Sequence, residues 1–472
     1  MQIMKKQQHL SLVLSIGLVL LLSSCLAIKK YEKPTAKTDN LYRTDFIHDN
    51  AFDGLDTNSI ASISWKNFFT DNLLQGYIQN ALDNNIDIRI AIQNIEAAES
   101  YVKQSKSGFL PSLSTDLGYT FSKTSGNSRF GALTFNQFQL GASAAWEADI
   151  WGKIKSQQRA TYAQYLQSIE AHKAVKTGLI AAVAKTYYQL VAISAQIEIA
   201  QRSVSTRDSS LETTIALKNA GQLTEVAVKQ SESQLYEAKI ILLNLQKQEK
   251  YLENTFCLLL NEQPHTITRN TIETQVFNSP LSIGIPAQLL ANRPDVLQAE
   301  YFFMQTFELS NLARTNFYPS FMITASGGSQ SMELEKWFSA SSLFANLAAG
   351  ITQPIFNRRQ IKTAYEVAQT QQQKAVLGYQ YAILSAGVDV SNALIDYRTQ
   401  TEAIALEQSK FEANQIAFTI SNQLLQNGLA TYLEVLTAQQ NVLSSELNVI
   451  NAKLGQLNAV VNLYTSLGGG WR

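Results

Sequence analysis

The feature of this sequence that most limits its possible folds is an internal repeat. The stretch FLPSLSTDLGY at 109–119 resembles FYPSFMITASG at 317–327, and both begin with an aromatic residue, one intervening residue, proline and serine. The two stretches lie 208 positions apart in a chain of 472 residues. Because self-similarity at a fixed offset marks copies of one structural unit, the chain is expected to use the same plan twice.

Three further pairs keep the same order and nearly the same offset. Asp87 corresponds to Asp295, DIWGKIKS at 149–156 to PIFNRRQIK at 354–362, and NAGQLT at 219–224 to QNGLAT at 426–431. Within each copy we predict the order helix, strand, strand, long helix, turn and returning helix. The two copies are predicted to span 65–260 and 285–466, with a connector at 261–284 and a tail at 467–472.

Residues that alternate with a period of two predict two strands in each copy. In the first strand Leu113, Leu117 and Phe121 share one face, whereas Ser114 and Asp116 share the other. The predicted strands lie at about 113–121, 137–148, 321–329 and 341–353. A strand in a soluble sandwich alternates in the same way, so alternation alone leaves membrane and soluble strands open.

A second pattern predicts unusually long helices. No proline interrupts the chain between Pro111 and Pro264, or after Pro354. The helical pattern from 153 to about 217 would extend ~95 Å at ~1.5 Å per residue, about three times the ~30 Å hydrocarbon core of a bilayer. These helices also contain many Lys, Gln and Ser residues. We therefore expect them to stand in water and to pack on each other.

Each long helix is predicted to reverse at a glycine. Gly221 and Gly428 suit the left-handed position at a helix end, which glycine adopts at little cost. Thr224 and Thr431 are predicted to cap the returning helices, and Thr431-x-x-Glu434 has the sequence of a capping box. Each copy therefore ends in a helical hairpin, with tips at about 219–226 and 426–437.

The first 24 residues have the pattern of a secretory signal that ends at a cysteine. Lys5 and Lys6 precede an apolar run at 10–22, which is too short to span a bilayer. Small residues before Cys25 resemble the bacterial lipoprotein signal, so we predict lipidation of Cys25 and a polar tether at 25–64. A plain secretory signal and a chance cysteine are the alternatives. Cys257, in the apolar run FCLLL, is predicted to be a core residue.

The composition argues against nucleic-acid binding and against catalysis. Lys and Arg total 38, as do Asp and Glu, so no basic surplus marks a nucleic-acid surface. The four histidines lie far apart in the sequence, and none has the spacing of a metal ligand. No nucleophile elbow, phosphate-binding loop or CxxC motif is present. We therefore expect neither an enzyme nor a cofactor or metal.

The strands and helices together favour an α+β membrane protein. An open sheet edge in hydrocarbon would leave backbone N–H and C=O groups unsatisfied. Four membrane-like strands per chain are too few to close a barrel, so several copies of the chain must share one. The expected assembly is a lipid-anchored, oligomeric tube with a strand barrel in a membrane and a helical barrel in water.

The two-copy plan resembles the TolC-type outer membrane efflux proteins, in particular the lipoprotein branch that works with resistance-nodulation-division pumps. The motifs that carry the resemblance are ANRPDVLQAE (291–300), ARTNFYPSF (313–321), PIFNRRQI (354–361), NGLATYLEVLTAQQ (427–440) and LGGGW (467–471). The resemblance implies a homotrimer whose twelve strands and twelve helices form a passive exit duct. It also implies contact with outer-membrane lipid, a periplasmic adaptor that grips the hairpin tips, and an inner-membrane pump.

The same resemblance directs attention to particular residues, listed here by location. The first tip contains Gly221, Leu223 and Thr224; the second tip, the implied periplasmic gate, contains Gly428, Thr431, Tyr432, Leu433, Glu434 and Thr437; the helix-to-strand corners contain Pro111 and Pro319. Glu434 has two readings, as an acid at the entrance and as a helix cap. Tyr432 and Leu433 could form an apolar plug or pack between helices.

Trp146, Tyr119 and Phe138 are candidates for an aromatic belt at the membrane surface, with interior packing as the alternative. Two other functions remain open at this point, a periplasmic lipoprotein adaptor and a helical scaffold without a pore. An adaptor should show one hairpin between β-rich halves, whereas this chain repeats its hairpin at a constant offset.

Overall fold

The structure is a computed structural model that describes residues 28–36, 38, 41–43, 59–127, 129, 131–277, 283, 284 and 286–472. The predicted signal segment and the predicted lipidation site Cys25 lie outside the described residues.

The described elements follow the predicted order in both copies. In the first copy they are α1 (Asn72–Asn84), α2 (Ile86–Ser107), β1 (Ser112–Lys123), β2 (Thr134–Ala148), α3 (Lys153–Asn219) and α4 (Glu225–Leu260). In the second copy they are α5 (Pro294–Thr315), β3 (Ser320–Ser331), β4 (Leu343–Thr352), α6 (Gln360–Gln426) and α7 (Tyr432–Ser466). Helices α3 and α6 have 67 residues each, so the duplication extends to helix length.

The four strands form one antiparallel sheet in the order β1-β2-β3-β4. Three strands differ from the predicted bounds because pairing continues toward the loops, as in the pair Lys123↔Thr134. Strand β4 is shorter than predicted and begins at Leu343, since the preceding residues form the 3₁₀ turn Ala340–Ser342.

The register separates an apolar face of the sheet from a polar one. Leu117 pairs with Leu140, and Ala325 pairs with Leu347. Residues that pair directly point to the same side of a sheet. The apolar face therefore contains the following side chains: Leu113, Leu117, Tyr119, Phe121, Phe138, Leu140, Trp146, Ile323, Leu343, Leu347 and Ile351. The opposite face contains Ser114, Asp116, Gln139, Ser143, Ser326 and Asn346.

The chain contains two compact units, and the first holds the sheet. It consists of 1–35, 94–168 and 298–379, of which 28–35 are the described part of the N-terminal segment. That segment lies on α5. The Tyr31 ring packs on Phe303 and Phe307, at centroid distances of 5.7 and 5.6 Å. Lys33 Nζ lies 2.6 Å from a Glu300 carboxylate oxygen, so the tether is held by apolar and ionic contacts.

The second unit consists of 36–93, 169–297 and 380–472 and is helical. Part of its core is aromatic, with Phe68 stacked on Tyr464 at 4.0 Å between ring centroids. Asp71 is a buried carboxylate that accepts hydrogen bonds from Tyr187 Oη at 2.8 Å and from Asn270 and Gln275. Burial acts to raise the pKa of Asp71, but these hydrogen bonds outweigh it and lower the pKa below its ordinary value.

Within the described part of the chain, α3 is the one helix long and apolar enough to cross a membrane by length and composition. Most of its apolar stretch, 67%, is buried inside the molecule. Its apolar residues Tyr187, Leu190 and Val191 are almost fully buried. Burial in the protein core therefore accounts for the apolar character of α3.

The two turn glycines generate the first testable prediction. Gly221 and Gly428 have φ of +77° and +69°, and an added Cβ would meet no atom within 4 Å. Alanine at either position should therefore cost only the left-handed backbone penalty, about 1–2 kcal/mol. Gly221→Ala and Gly428→Ala should each lower the thermal midpoint measured by circular dichroism in detergent.

The matched control is Gly178→Ala, inside α3, where an added Cβ also meets no atom within 4 Å and the backbone is helical. That variant should keep or raise the midpoint, because alanine is about 0.5–1 kcal/mol better than glycine within a helix. Equal midpoints for all three variants would contradict the assigned turn geometry.

Candidate functional site at the hairpin tips

Both hairpin tips are built on the same helix-ending motif. At the first tip the Gln222 amide donates to Leu217 O at 2.9 Å and the Gly221 amide donates to Lys218 O at 2.9 Å. At the second tip the Leu429 amide donates to Leu424 O at 2.8 Å, and Gly428 repeats the shorter bond to Leu425 O at 3.0 Å. Each pair of bonds is a Schellman motif, which requires a left-handed residue and explains the glycines.

The second returning helix begins with a complete capping box. The Glu434 amide donates to Thr431 Oγ1 at 3.4 Å, and the Thr431 amide donates to Glu434 Oε2 at 2.9 Å. Two amides that lack a helical partner are thereby satisfied. Glu434 therefore acts as part of a helix cap in this structure. Its side chain is exposed, so an additional role at an entrance is sterically open.

The first returning helix differs from the prediction. Thr224 is the residue before α4, but its side chain makes no capping hydrogen bond. The Ala227 amide donates to the Thr224 backbone carbonyl at 3.1 Å rather than to its hydroxyl, and alanine at 227 cannot supply the reciprocal bond that a glutamate makes in a capping box. Instead the Glu225 carboxylate pairs with Lys218 Nζ at 2.9 Å, and this contact lowers the pKa of Glu225.

Tyr432 lies inside the tip region rather than on its surface. It is 9% exposed and forms an apolar cluster with Ala227 and Leu436, against which Leu223 and Leu425 pack. The cluster joins side chains from both hairpins. The position of the Tyr432 side chain therefore agrees with packing between helices. Burial raises the pKa of its phenol, which stays neutral.

The exposed residues of the second tip form a small mixed surface. Leu433 is 63% exposed, and Glu434 and Thr437 are exposed beside it. The Thr437 hydroxyl donates to Leu433 O at 2.8 Å, within its own helix. Sequence reasoning missed two further exposed apolar side chains at the tips, Val226 at 65% and Leu429 at 75%. Leu429 directly follows the turn glycine Gly428 and Val226 is the second residue of the returning helix, and these positions could have singled them out.

A buried arginine lies near the tips, and the sequence pattern did not predict its burial. Arg207, on α3, is 1% exposed. Its guanidinium donates to Gln234 O at 2.6 Å, to Gln234 Oε1 at 2.8 Å and to Gln440 Oε1 at 2.5 Å. It therefore links α3, α4 and α7. Burial lowers the pKa of Arg207, but an arginine remains charged at neutral pH.

The proline corners lie in the sheet-containing unit, where each is fixed by a tryptophan. Trp146 Nε1 donates to Phe109 O at 2.9 Å, and Trp151 Nε1 donates to Pro319 O at 2.7 Å. Each bond satisfies a carbonyl close to Pro111 or Pro319, at the point where a helix ends and a strand begins. The Trp146 ring lies on the apolar face of the sheet and is 36% exposed.

The described residues offer no group of three or more His, Cys, Asp or Glu side chains that could hold a metal ion. Cys257 is a buried free cysteine, with its sulfur 3.5 Å from His265 Nδ1. The candidate site consists of the helix ends at the two tips and the side chains exposed there.

Comparison with known proteins identifies relatives over nearly the whole chain. SrpC, the outer membrane protein of a solvent efflux pump from Pseudomonas putida, is 30% identical over 464 residues, which are 96% of this chain and 97% of SrpC. The cation efflux system protein CusC from Escherichia coli O6:H1 is 28% identical over 409 residues, which cover 86% of this chain and 88% of CusC.

Among solved structures, the open state of the MtrE outer membrane channel from Neisseria gonorrhoeae superposes with a TM-score of 0.82. The two chains are 26% identical, and the match covers 94% of this chain and 98% of MtrE. The predicted α+β architecture and outer-membrane location are thereby confirmed. The model of the family described as outer membrane efflux protein matches residues 77–262 and 285–469, and the chain belongs to that family.

Proposed function

We propose that three copies of this chain form the outer-membrane exit duct of a tripartite efflux system. The duct conducts substrates passively, while an inner-membrane pump supplies the energy and a periplasmic adaptor joins the two. The observation that carries the proposal is the four-stranded sheet, which has one apolar face and two edges, β1 and β4, with which no other described strand pairs.

The unpaired edges account for the assembly. In hydrocarbon each unsatisfied backbone group costs several kcal/mol, so a single sheet of this kind is not stable in a membrane. Strand β4 of one copy can pair with β1 of the next, since the antiparallel order then continues around a ring. Two copies would give eight strands, which leave an interior filled by side chains, whereas three copies give twelve and a lumen.

The faces of the sheet fit such a barrel. Leu117 and Leu347 on the apolar face are 73% and 79% exposed, as expected for side chains that contact lipid. Asp116, Gln139 and Asn346 lie on the opposite face, which would line a water-filled lumen.

The helices carry a second signature of assembly. On α4 one apolar stripe faces away from the core, and α6 carries another. The stripe on α4 contains Tyr236, Ile240, Leu243, Tyr251 and Leu258, and the stripe on α6 contains Leu377, Tyr381, Leu384, Val388, Ile416 and Ile420. The steps are three, four, seven or eight residues on α4, and on α6 they are three or four within 377–388 and four between Ile416 and Ile420, which suits lateral packing of helices. We infer that stripes of neighbouring copies meet and close the helical wall.

The tips are the surface that the adaptor would contact. Leu429, in the second turn, and Val226 and Leu433, at the starts of the returning helices, are exposed apolar side chains, and such residues in a polar surround mark protein contact sites. Glu434 would add a ring of three carboxylates at the entrance. Lipidation of Cys25 would anchor the trimer, in agreement with the relative SilC, which is named a probable outer membrane lipoprotein.

The identity of the cargo does not follow from the duct itself. The relatives are named for solvents and for cations although they share this architecture. We infer that the pump selects the substrate and that the duct accepts what the pump delivers.

Assembly through the stripes is tested by Ile240→Glu, which places a charge within the α4 stripe. The variant should lose most of the heat-labile trimer band in outer-membrane fractions, because an unpaired buried charge is costly. The control Gln248→Glu adds the same charge on the flank of the same helix and should keep the band. A stable trimer in both variants, or a monomer in the unaltered protein, would contradict the proposal.

The entrance role of Glu434 is tested by two variants. Glu434→Gln keeps a side chain that can complete the capping box but removes the charge, whereas Glu434→Ala also removes the hydrogen bond to the Thr431 amide, worth about 0.5–1.5 kcal/mol. In planar bilayers both variants should reduce the preference of the channel for cations. The thermal midpoint should fall only in Glu434→Ala.

The matched control is Glu225→Gln at the first tip, which should leave the ion preference unchanged. Unaltered ion preference in Glu434→Gln would show that this residue acts only as a cap.

A further inference from the structure

The loop between β3 and β4, residues 332–342, is folded back over the sheet. The Trp337 ring lies 5.7 Å from the ring of Phe138 on β2, and Phe138 lies 5.0 Å from Tyr119 on β1. Phe338 stacks on Trp337 at 4.9 Å. An aromatic row therefore extends from two strands into the loop.

The register shows which face of the sheet the loop covers. Tyr119 pairs with Phe138, and both belong to the apolar face. Ser329 on β3 pairs with Leu140 of that face and is only 6% exposed. Its hydroxyl donates to Trp337 O, and Trp337 Nε1 donates to Ser329 O at 3.3 Å. The loop thus packs on the apolar, lipid-facing side and not on the polar side.

The loop is held in this position by its own hydrogen bonds. Ser342 Oγ donates to Lys336 O at 2.6 Å, and Ser331 Oγ donates to Glu333 O at 2.8 Å. Two short 3₁₀ turns, Leu334–Lys336 and Ala340–Ser342, complete it. These hydrogen bonds and turns therefore hold the loop in one conformation and fix the directions of its side chains.

This loop nevertheless exposes three large apolar side chains. Met332, Leu334 and Phe338 are 68%, 60% and 74% exposed. Between them, Glu333 and Lys336 form an exposed ion pair at 2.6 Å. Three large apolar side chains exposed within seven residues mark a surface that contacts another apolar partner.

We propose that this loop is an interfacial anchor that inserts Met332, Leu334 and Phe338 into the acyl boundary of the lipid leaflet at the loop end of the barrel. The partner is lipid because the loop continues the apolar face that contacts lipid in the proposed barrel, and because aromatic side chains favour the membrane interface. The ion pair Glu333–Lys336 stays at the headgroup level. The inference rests on the proposed barrel.

The test uses full-length trimers that carry one added cysteine each, labelled with bimane and reconstituted in phosphatidylcholine vesicles. Phe338→Cys and Leu334→Cys report on the anchor, Glu335→Cys reports on the charged side of the same loop, and Leu347→Cys reports on the barrel face. Cys257 is buried, and the labelled unaltered protein measures any background. Quenching by brominated phosphatidylcholine is compared with quenching by aqueous iodide.

We expect the labels at 334, 338 and 347 to be quenched severalfold more by brominated lipid than the label at 335, which iodide should quench instead. Iodide quenching at 338 and 334 with lipid quenching at 347 would overturn the anchor and leave the barrel intact. Iodide quenching at 347 would overturn the proposed barrel itself. Disulfide-linked copies of unlabelled Phe338→Cys would assign the loop to contact between copies and would also overturn the anchor.

Discussion

The unpaired backbone at the two edges of the sheet is the constraint on which the rest of this structure depends. The edge strands β1 and β4 have 12 and 10 residues, and within the described part of the chain each pairs with a strand on one side only. At several kcal/mol for each unsatisfied group in hydrocarbon, the cost exceeds the ~5–15 kcal/mol by which a typical protein is stable. The sheet can therefore enter a membrane only when other copies pair with its edges. The exposed apolar stripes on α4 and α6 likewise require other copies of the chain to cover them in water.

Duplication gives the chain two similar hairpins, and small sequence differences between the copies make their tips differ. Both tips use a Schellman glycine, yet only the second has a capping box, because its third helical residue is Glu434 where the first has Ala227. The first tip therefore presents a carboxylate that is paired with Lys218, whereas the second presents one that is held by the capping box beside exposed Leu433. Arg207 and the Tyr432 cluster hold the two tips of one chain together, so the tips can act as one surface.

Much of this architecture could be predicted from the sequence because it depends on local patterns. The constant offset indicated two copies, alternation located the strands, and glycine in a sharp reversal implied the positive φ found at Gly221 and Gly428. Features that depend on three-dimensional neighbours were not predictable in this way. Thr224 has the right residue type for a cap but lacks a reciprocal partner, and Tyr432 is buried by side chains from the other hairpin. Arg207 stands in a polar stretch that does not reveal its burial, and only the register shows that Trp337 covers the apolar face.

The central claim, that one chain supplies a third of a closed wall, is tested most directly by native mass spectrometry of the protein extracted from membranes in mild detergent. The account predicts a single dominant species with the mass of three lipidated chains, and no stable species of one chain. A folded protein with the mass of a single chain would contradict it, because its sheet edges would then be stable without partners.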